Sequence, residues 1–301
     1  MNHDASWLTI SERGTVLGIR FLLFVCTALG RGVGRAILQP IALYYALVHV
    51  NARRASRRYL ERLHARVTFG MIYRHILHFA EASLDRIFLL RGRHEHFEIG
   101  SQGFDHLRAL RDSRRGAILL GAHLGSFEAM RVLADARELP INILTYTGNA
   151  RKVNAVLRGL DTKHPPRAIE IDPSSIDSIL RVKELVESGQ IVAILGDRVA
   201  KNDRFATVDF LGGPVRFPTG PYLLAAMLGC PVYLTLGLYR SPNRYEFFCE
   251  PFLEKLELPR RDREAGLRAQ VQRYAARLEH YCRLAPDNWF NFFDPWAQSD
   301  A

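Results

Sequence analysis

The stretch that decides the fold runs from residue 116 to residue 128 and reads GAILLGAHLGSFE. Its apolar run from Ala117 to Gly121 has the length and composition of a strand buried on both faces. The glycines that follow allow a tight turn, and helix-forming residues begin near Ser126. A buried strand that turns directly into a helix is the repeating unit of parallel α/β sheets, which present polar side chains at the carboxyl ends of their strands.

The same alternation continues on both sides of this stretch. Strands are expected at 96–99, 117–121, 141–146, 168–171, 191–195, 232–238 and 244–250. Helices are expected at 103–112, 126–138, 174–187, 218–228 and 262–284. No repeat or Pro/Gly-rich linker interrupts the pattern. It predicts a single-domain α/β fold over residues 92–301, with a mostly parallel (mixed) central sheet flanked by helices.

Residues 1–91 are expected to form an N-terminal helical, membrane-associating segment that partly joins this folding unit. Two apolar runs, Val16–Leu29 and Ala36–Val50, are each about fifteen residues long, whereas a membrane-spanning helix needs roughly twenty. Arg20 would be costly at the middle of a bilayer. An interfacial or half-inserted helix is therefore expected, and burial in the core of a soluble protein is the alternative.

The charge balance points to an anionic partner. The chain has 41 Lys and Arg against 31 Asp and Glu, a net charge of +10. Nucleic acid, an acidic carrier protein and a negatively charged membrane would all suit this charge. No nucleic-acid-binding motif is present, and arginines flank the apolar runs, which favours the membrane surface. These arginines are Arg13, Arg20, Arg31, Arg35, Arg53, Arg54, Arg57 and Arg58.

Most histidines and all cysteines carry no predicted site. His64, His75 and His78 belong to a helical region over 51–91 and are expected to be partly exposed. The four cysteines are far apart and form no CxxC pair, so we expect buried thiols and no metal site.

The chemistry is expected at His123 and Glu128, which lie five residues apart across the strand-to-helix junction. A carboxylate bound to one imidazole nitrogen leaves the other nitrogen free to act as a base. This is the orienting logic of a catalytic triad, with the substrate's own alcohol in place of the enzyme's serine. A serine hydrolase built on Ser126 is the enzymatic alternative, although the G-x-S-x-G motif is missing. A basic, non-enzymatic nucleic-acid-binding protein is the other.

Five blocks in order resemble a known family. They are AHLGSFE at 122–128, Gly196-Asp197-Arg198, the block from Asp209 to Pro221, the strand that ends at Arg240, and the segment from Pro286 to Trp296. Together they are similar to the ordered motifs of the lipid A late acyltransferases, within the lysophospholipid acyltransferase superfamily. The last block, which contains NFFDPW, departs from the ending usual in that family and leaves the acceptor lipid open.

The resemblance implies an acyltransferase at the cytoplasmic face of a bacterial inner membrane. His123 and Glu128 would be its HxxxxD/E dyad. The donor would be an acyl thioester on acyl carrier protein or coenzyme A, and the acceptor a hydroxyl or amine of a membrane lipid. No cofactor is expected.

Further site candidates follow from their positions. Asp197 and Arg198 follow a buried strand and would lie near His123 at the edge of a parallel sheet. Arg198 could bind phosphate or could pair with Asp197. Arg240 is a further substrate-binding candidate.

A turn and an aromatic cluster complete the expectations. The Gly212-Gly213-Pro214 turn could supply oxyanion-binding amides, and Thr219 could contact substrate or cap a helix. The aromatic residues from Trp289 to Trp296 are expected to pack in the core.

Overall fold

The computed structural model describes residues 16–136, 139, 141–146, 168–171, 176–200, 203–258 and 261–298. Its helices are α1 (Val16–Val48), α2 (Val50–Glu61), α3 (Phe69–Leu90), α4 (Phe104–Asp112), α5 (Phe127–Ala136), α6 (Ile176–Glu187), α7 (Gly220–Leu228) and α8 (Arg263–Leu284). Its strands are β1 (Glu98–Gln102), β2 (Ala117–Gly121), β3 (Ile141–Tyr146), β4 (Ala168–Ile171), β5 (Ile191–Leu195), β6 (Phe205–Phe210), β7 (Gly213–Pro218), β8 (Val232–Arg240) and β9 (Arg244–Leu253).

The central sheet has seven strands in the order β1-β9-β8-β2-β5-β3-β4. The strands β8, β2, β5, β3 and β4 run in one direction, because each pairs in parallel with its neighbour. The strand β9 is antiparallel to β8, and β1 is parallel to β9, so this edge of the sheet runs the other way. The predicted mixed, mostly parallel α/β fold is confirmed.

The central strands match their predicted bounds to the residue at β2, β3, β4 and β5. The β6–β7 hairpin was not predicted. Its turn consists of Leu211 and Gly212, both with positive φ (50° and 74°), the combination that suits the twist of a two-residue hairpin. The expectation of a turn at 212–214 was therefore wrong in register, since Gly213 and Pro214 belong to β7.

The N-terminal helices share their core with the sheet. Leu38 and Ala42 of α1, Leu60 of α2 and Ile118 of β2 belong to one hydrophobic cluster. The chain of α1 bends at Gly30, whose φ of 86° is non-helical. No single helix in the described ranges is long and apolar enough to cross a bilayer. The pair Ala28–Val48 and Val50–Glu61, bent by 91°, meets that criterion together.

Two of the arginines that flank the apolar runs form ion pairs with acids of α3. The guanidinium of Arg31 binds both carboxylate oxygens of Asp85 in α3, at 2.7 and 2.9 Å. One turn further along α1, Arg35 pairs with Glu81, one turn from Asp85 in α3. Both acids are buried. The i, i+4 spacing of the two arginines matches that of the two acids, so α1 is fastened to α3 by two parallel ion pairs.

His75 is fully buried, and the expectation that it is partly exposed was wrong. Its Nδ1 lies 2.9 Å from the Ser56 hydroxyl in α2, and its Nε2 lies 2.9 Å from the Trp289 carbonyl. A carbonyl only accepts, so Nε2–H donates to Trp289 and Nδ1 accepts from Ser56. Burial lowers the pKa of His75 to about 4, which keeps the ring neutral. The helical spacing of residues 51–91 gives no sign of the hydrogen bonds that His75 makes to Ser56 and Trp289.

Candidate active site

The register of two neighbouring strands brings His123 beside Asp197. The strands β2 and β5 are parallel, and Gly121 pairs with Leu195 at their carboxyl ends. Two residues further along each chain stand His123 and Asp197. Their side chains meet with Nδ1 of His123 2.7 Å from Oδ1 of Asp197, and the backbone N–H of His123 donates to Oδ2 at 3.0 Å.

Asp197 is a buried carboxylate whose two oxygens accept from four donors. Besides the two groups of His123, the indole Nε1 of Trp289 donates to Oδ2 at 3.1 Å, and Nδ2 of Asn291 donates to Oδ2 at 3.0 Å. Burial by itself would raise the pKa of Asp197. The charge and hydrogen bonds of His123 and the charge of Arg198 outweigh burial and hold that pKa below its ordinary value.

His123 is arranged as a base. Since Asp197 is ionised and can only accept, Nδ1 of His123 carries the proton and Nε2 carries the lone pair. The His123 side chain is 28% exposed, and no described residue hydrogen-bonds to Nε2. Burial, followed by the nearby charge of Arg198, lowers the pKa of His123 against the opposing effect of Asp197. The imidazole is therefore neutral near pH 7, as a general base requires.

The loop after β2 is held against β8. Gly125 has φ of 72°, and a Cβ at this position would lie 1.9 Å from the Gly237 carbonyl oxygen. The next residue, Ser126, donates its backbone N–H to that carbonyl at 2.7 Å. Its hydroxyl accepts from the backbone N–H of Ala129 at 3.1 Å and caps α5. This cap, in place of a bond to His123, argues against the serine hydrolase alternative.

A C-terminal segment, residues 286–291, closes over the same loop. The side chain of Asn288 accepts from the backbone N–H of Tyr239 at 2.6 Å and donates to its carbonyl at 3.0 Å, as a neighbouring strand would. The backbone N–H of Phe290 donates to the His123 carbonyl at 2.8 Å. Sequence reasoning assigned Trp289 to the core and missed its indole, and it missed Asn288 and Asn291. The buried asparagines among the aromatics of PDNWFN were the available signal.

Arg198 lies next to this pair and is partly buried against the C-terminal segment. Its Nε donates to Oδ1 of Asn291 at 2.7 Å, and Nη2 donates to the Phe290 carbonyl at 3.2 Å. The guanidinium also lies 5.8 Å from the centre of the Phe293 ring. Among the described contacts, Asp197 and Arg198 are linked through the amide of Asn291, which donates to Asp197 and accepts from Arg198.

The remaining candidates are distributed more widely. Glu128 is the second residue of α5, but its side chain lies outside the described part of the structure. The turn at Gly212 has described contacts to Arg62 and Glu279 through Leu211, and none to His123. Two further candidates have local partners.

Thr219 is buried and precedes α7, but its hydroxyl donates to the Arg204 carbonyl at 3.2 Å and caps nothing. Arg240 ends β8 and binds Glu246 and the Leu284 carbonyl, at 3.3 and 3.1 Å.

Comparison with known protein families identifies the family of this chain. A family model for bacterial lipid A biosynthesis acyltransferases matches residues 3–298. The chain belongs to this family. The resemblance of the five blocks is thereby confirmed, and the protein is an acyltransferase of lipid A biosynthesis. Family membership excludes the non-enzymatic nucleic-acid-binding alternative. Comparison with individual curated proteins gives no match.

Proposed function

We propose that this acyltransferase moves a fatty acyl chain from an acyl thioester to a hydroxyl of a lipid A precursor, with His123 as the general base. The observation that carries the proposal is the geometry at His123. One ring nitrogen is held by the buried carboxylate of Asp197, the side chain is partly exposed, and no described residue hydrogen-bonds to the other ring nitrogen, Nε2.

The proposed reaction is a direct transfer. Nε2 of His123 takes the proton of the acceptor hydroxyl, and the oxygen attacks the thioester carbonyl. The tetrahedral intermediate then collapses as the C–S bond breaks, and the imidazolium returns its proton to the leaving thiolate. Asp197 stabilises the imidazolium while it exists, as the orienting acid of a triad does. Glu128 remains proposed as a second acid of the dyad motif, on the strength of the family resemblance.

The proposed donors are acyl carrier protein and acyl-coenzyme A. Both present a thioester on an anionic carrier, which suits the net charge of +10. Parallel assays with the same acyl chain on each carrier would separate them through kcat/KM.

We further propose that the protein rests on the cytoplasmic face of the inner membrane through α1 and α2. Leu43, Leu47 and Val48 of α1 are each 42–56% exposed, an unusual density of exposed apolar side chains. The next helix, α2, exposes Arg54 and Arg57. An apolar helix beside a basic helix suits anionic lipid.

The membrane proposal is tested by flotation with vesicles that contain anionic phospholipid. The double variant Leu43→Ser/Leu47→Ser should float several-fold less than wild type. Leu180→Ser removes an equally exposed leucine (49%) from α6 and should float normally. Equal flotation of all three proteins would exclude α1 as the contact surface.

The base assignment is tested with His123→Ala. Transfer from a radiolabelled thioester to a lipid A precursor should fall by about 10³-fold or more, because general-base catalysis and the positioning of the base are lost together. His280→Ala, which removes an exposed histidine of α8, is the matched control and should keep full activity. Folded His123→Ala protein with wild-type turnover would refute the proposal.

A further inference from the structure

Asn291 is fully buried, and both ends of its amide are in use. Its nitrogen donates to Oδ2 of Asp197 at 3.0 Å, and its oxygen accepts from Nε of Arg198 at 2.7 Å. Only a side chain that carries a donor and an acceptor on the same short stem can make both bonds. An aspartate would lack the donor when ionised.

The amide separates two opposite charges that are adjacent in sequence. In a buried site, a guanidinium and a carboxylate attract each other strongly. Arg198 is held from other sides by the Phe290 carbonyl and the Phe293 ring. A direct pair between Arg198 and Asp197 would take negative charge away from the Nδ1–H of His123.

We propose that Asn291 is a positioning residue for the transfer reaction, which keeps the Arg198 guanidinium off the Asp197 carboxylate so that the carboxylate stays committed to His123. This inference rests on the proposed role of His123 as base.

The groups around His123 make the consequence measurable. Asp197 raises the pKa of His123, whereas burial and Arg198 lower it. From α8, Tyr274 and Cys282 approach Asp197, and burial raises the pKa of both so that they stay neutral. Trp289 and Asn291 do not titrate. The Glu128 side chain, on α5, lies outside the described residues. Because Asn291 bonds to both Asp197 and Arg198, its removal is expected to act on the pKa of His123 through the spacing between these two charges.

The test is a ¹³C-NMR titration of His123 in the full-length protein without substrates, combined with the pH profile of kcat. In Asn291→Ala, Arg198 can share the charge of Asp197, so the pKa of His123 should fall by about 0.5 to 1 unit. We expect kcat to fall about tenfold and KM to stay within about twofold, because a positioned base is weakened while binding is retained. Asn291→Ser serves as the second variant if alanine compromises folding.

Arg198→Gln supplies the decisive background. It removes the charge, so the pKa of His123 should rise, and adding Asn291→Ala to it should cause no downward shift. Asn142→Ala is the matched control, since Asn142 is equally buried but its amide binds Gln190 and the Ile191 carbonyl in the sheet. Asn142→Ala should lower the free energy of unfolding without changing the pKa of His123.

Two results would overturn the inference. One is a downward shift that persists in the Arg198→Gln background, and the other is a loss of activity in Asn291→Ala with no shift at all. Because the titration needs no substrate, failure of the acyl-transfer proposal would appear separately, as activity retained by His123→Ala.

Discussion

Both side-chain oxygens of Asp197 accept hydrogen bonds, so a residue that replaces it must accept at both positions. Its Oδ2 faces three N–H donors, from the backbone of His123, Trp289 and Asn291, while Oδ1 faces Nδ1–H of the imidazole. An asparagine with its NH₂ at Oδ2 would meet three donors. With its NH₂ at Oδ1, it would force His123 into the tautomer that carries the proton on Nε2. Either placement removes the base or breaks the network around it.

Asp197→Asn should therefore lose kcat by about 10³- to 10⁴-fold, the scale of a triad whose tautomer is wrong. Glu128→Gln should lose less, because Asp197 already fixes Nδ1. Both variants would be assayed for acyl transfer, with circular dichroism as the check on folding. A larger loss of kcat in Glu128→Gln than in Asp197→Asn would show that Glu128, and not Asp197, orients His123.

At the scale of elements, the sequence could predict the strands of the central sheet but not which strands lie side by side. Buried strands such as β2 and β5 are continuous apolar runs, and their ends are marked by polar or glycine residues. The order of the strands depends on long-range packing that no local pattern records. Glu128 was predicted as the partner of His123 from their spacing and stays a prediction, whereas Asp197, 74 residues away, was predicted to lie near His123 but not to bind it.

The C-terminal segment and the β6–β7 hairpin were harder to predict for the same reason. Trp289 meets Asp197 across 92 residues of sequence, so its aromatic ring looked like ordinary core. In the hairpin, the Gly-Gly-Pro sequence hid the start of β7, since glycine and proline are uncommon in strand interiors.

The loop between β2 and α5 gives a prediction at this scale. Gly125→Ala adds a Cβ that would lie 1.9 Å from a backbone oxygen of β8, so the loop that carries His123 must move. Activity should fall about 10²-fold, the effect expected of a displacement of about 1 Å. Gly92→Ala has the same φ of 72° and nothing within 4 Å, so it isolates the strain of the left-handed backbone. Gly92→Ala should cost about 1 kcal/mol of stability and no activity. Equal activity losses in the two variants would show that contact with β8 is unimportant.

At the scale of the whole molecule, Trp289 links the N-terminal helices to the candidate active site. Trp289 donates its indole N–H to Asp197, and its carbonyl accepts from His75 of α3. His75 in turn accepts from Ser56 of α2. The helix α2, one of the two proposed to contact the membrane, is thus joined to the proposed base by consecutive hydrogen bonds through buried groups. Protonation of His75 would place a positive charge among buried groups and would reverse its bond with Ser56, because an imidazolium only donates and the hydroxyl would have to turn and accept.

Protonation of His75 should therefore set a limit to stability on the acid side. Its pKa is about 4 in the folded protein and 6.5 in the unfolded chain, so between these values the unfolded state binds the extra proton. The stability that depends on a neutral His75 is fully present above pH 6.5 and is lost as the pH falls towards 4. It should amount to about 2 kcal/mol between pH 7 and pH 5. The free energy of unfolding, measured by denaturant titration at both pH values, should fall by that much more in wild type than in His75→Gln, which cannot titrate. Equal losses in the two proteins would contradict the neutral, buried state of His75 in the fold.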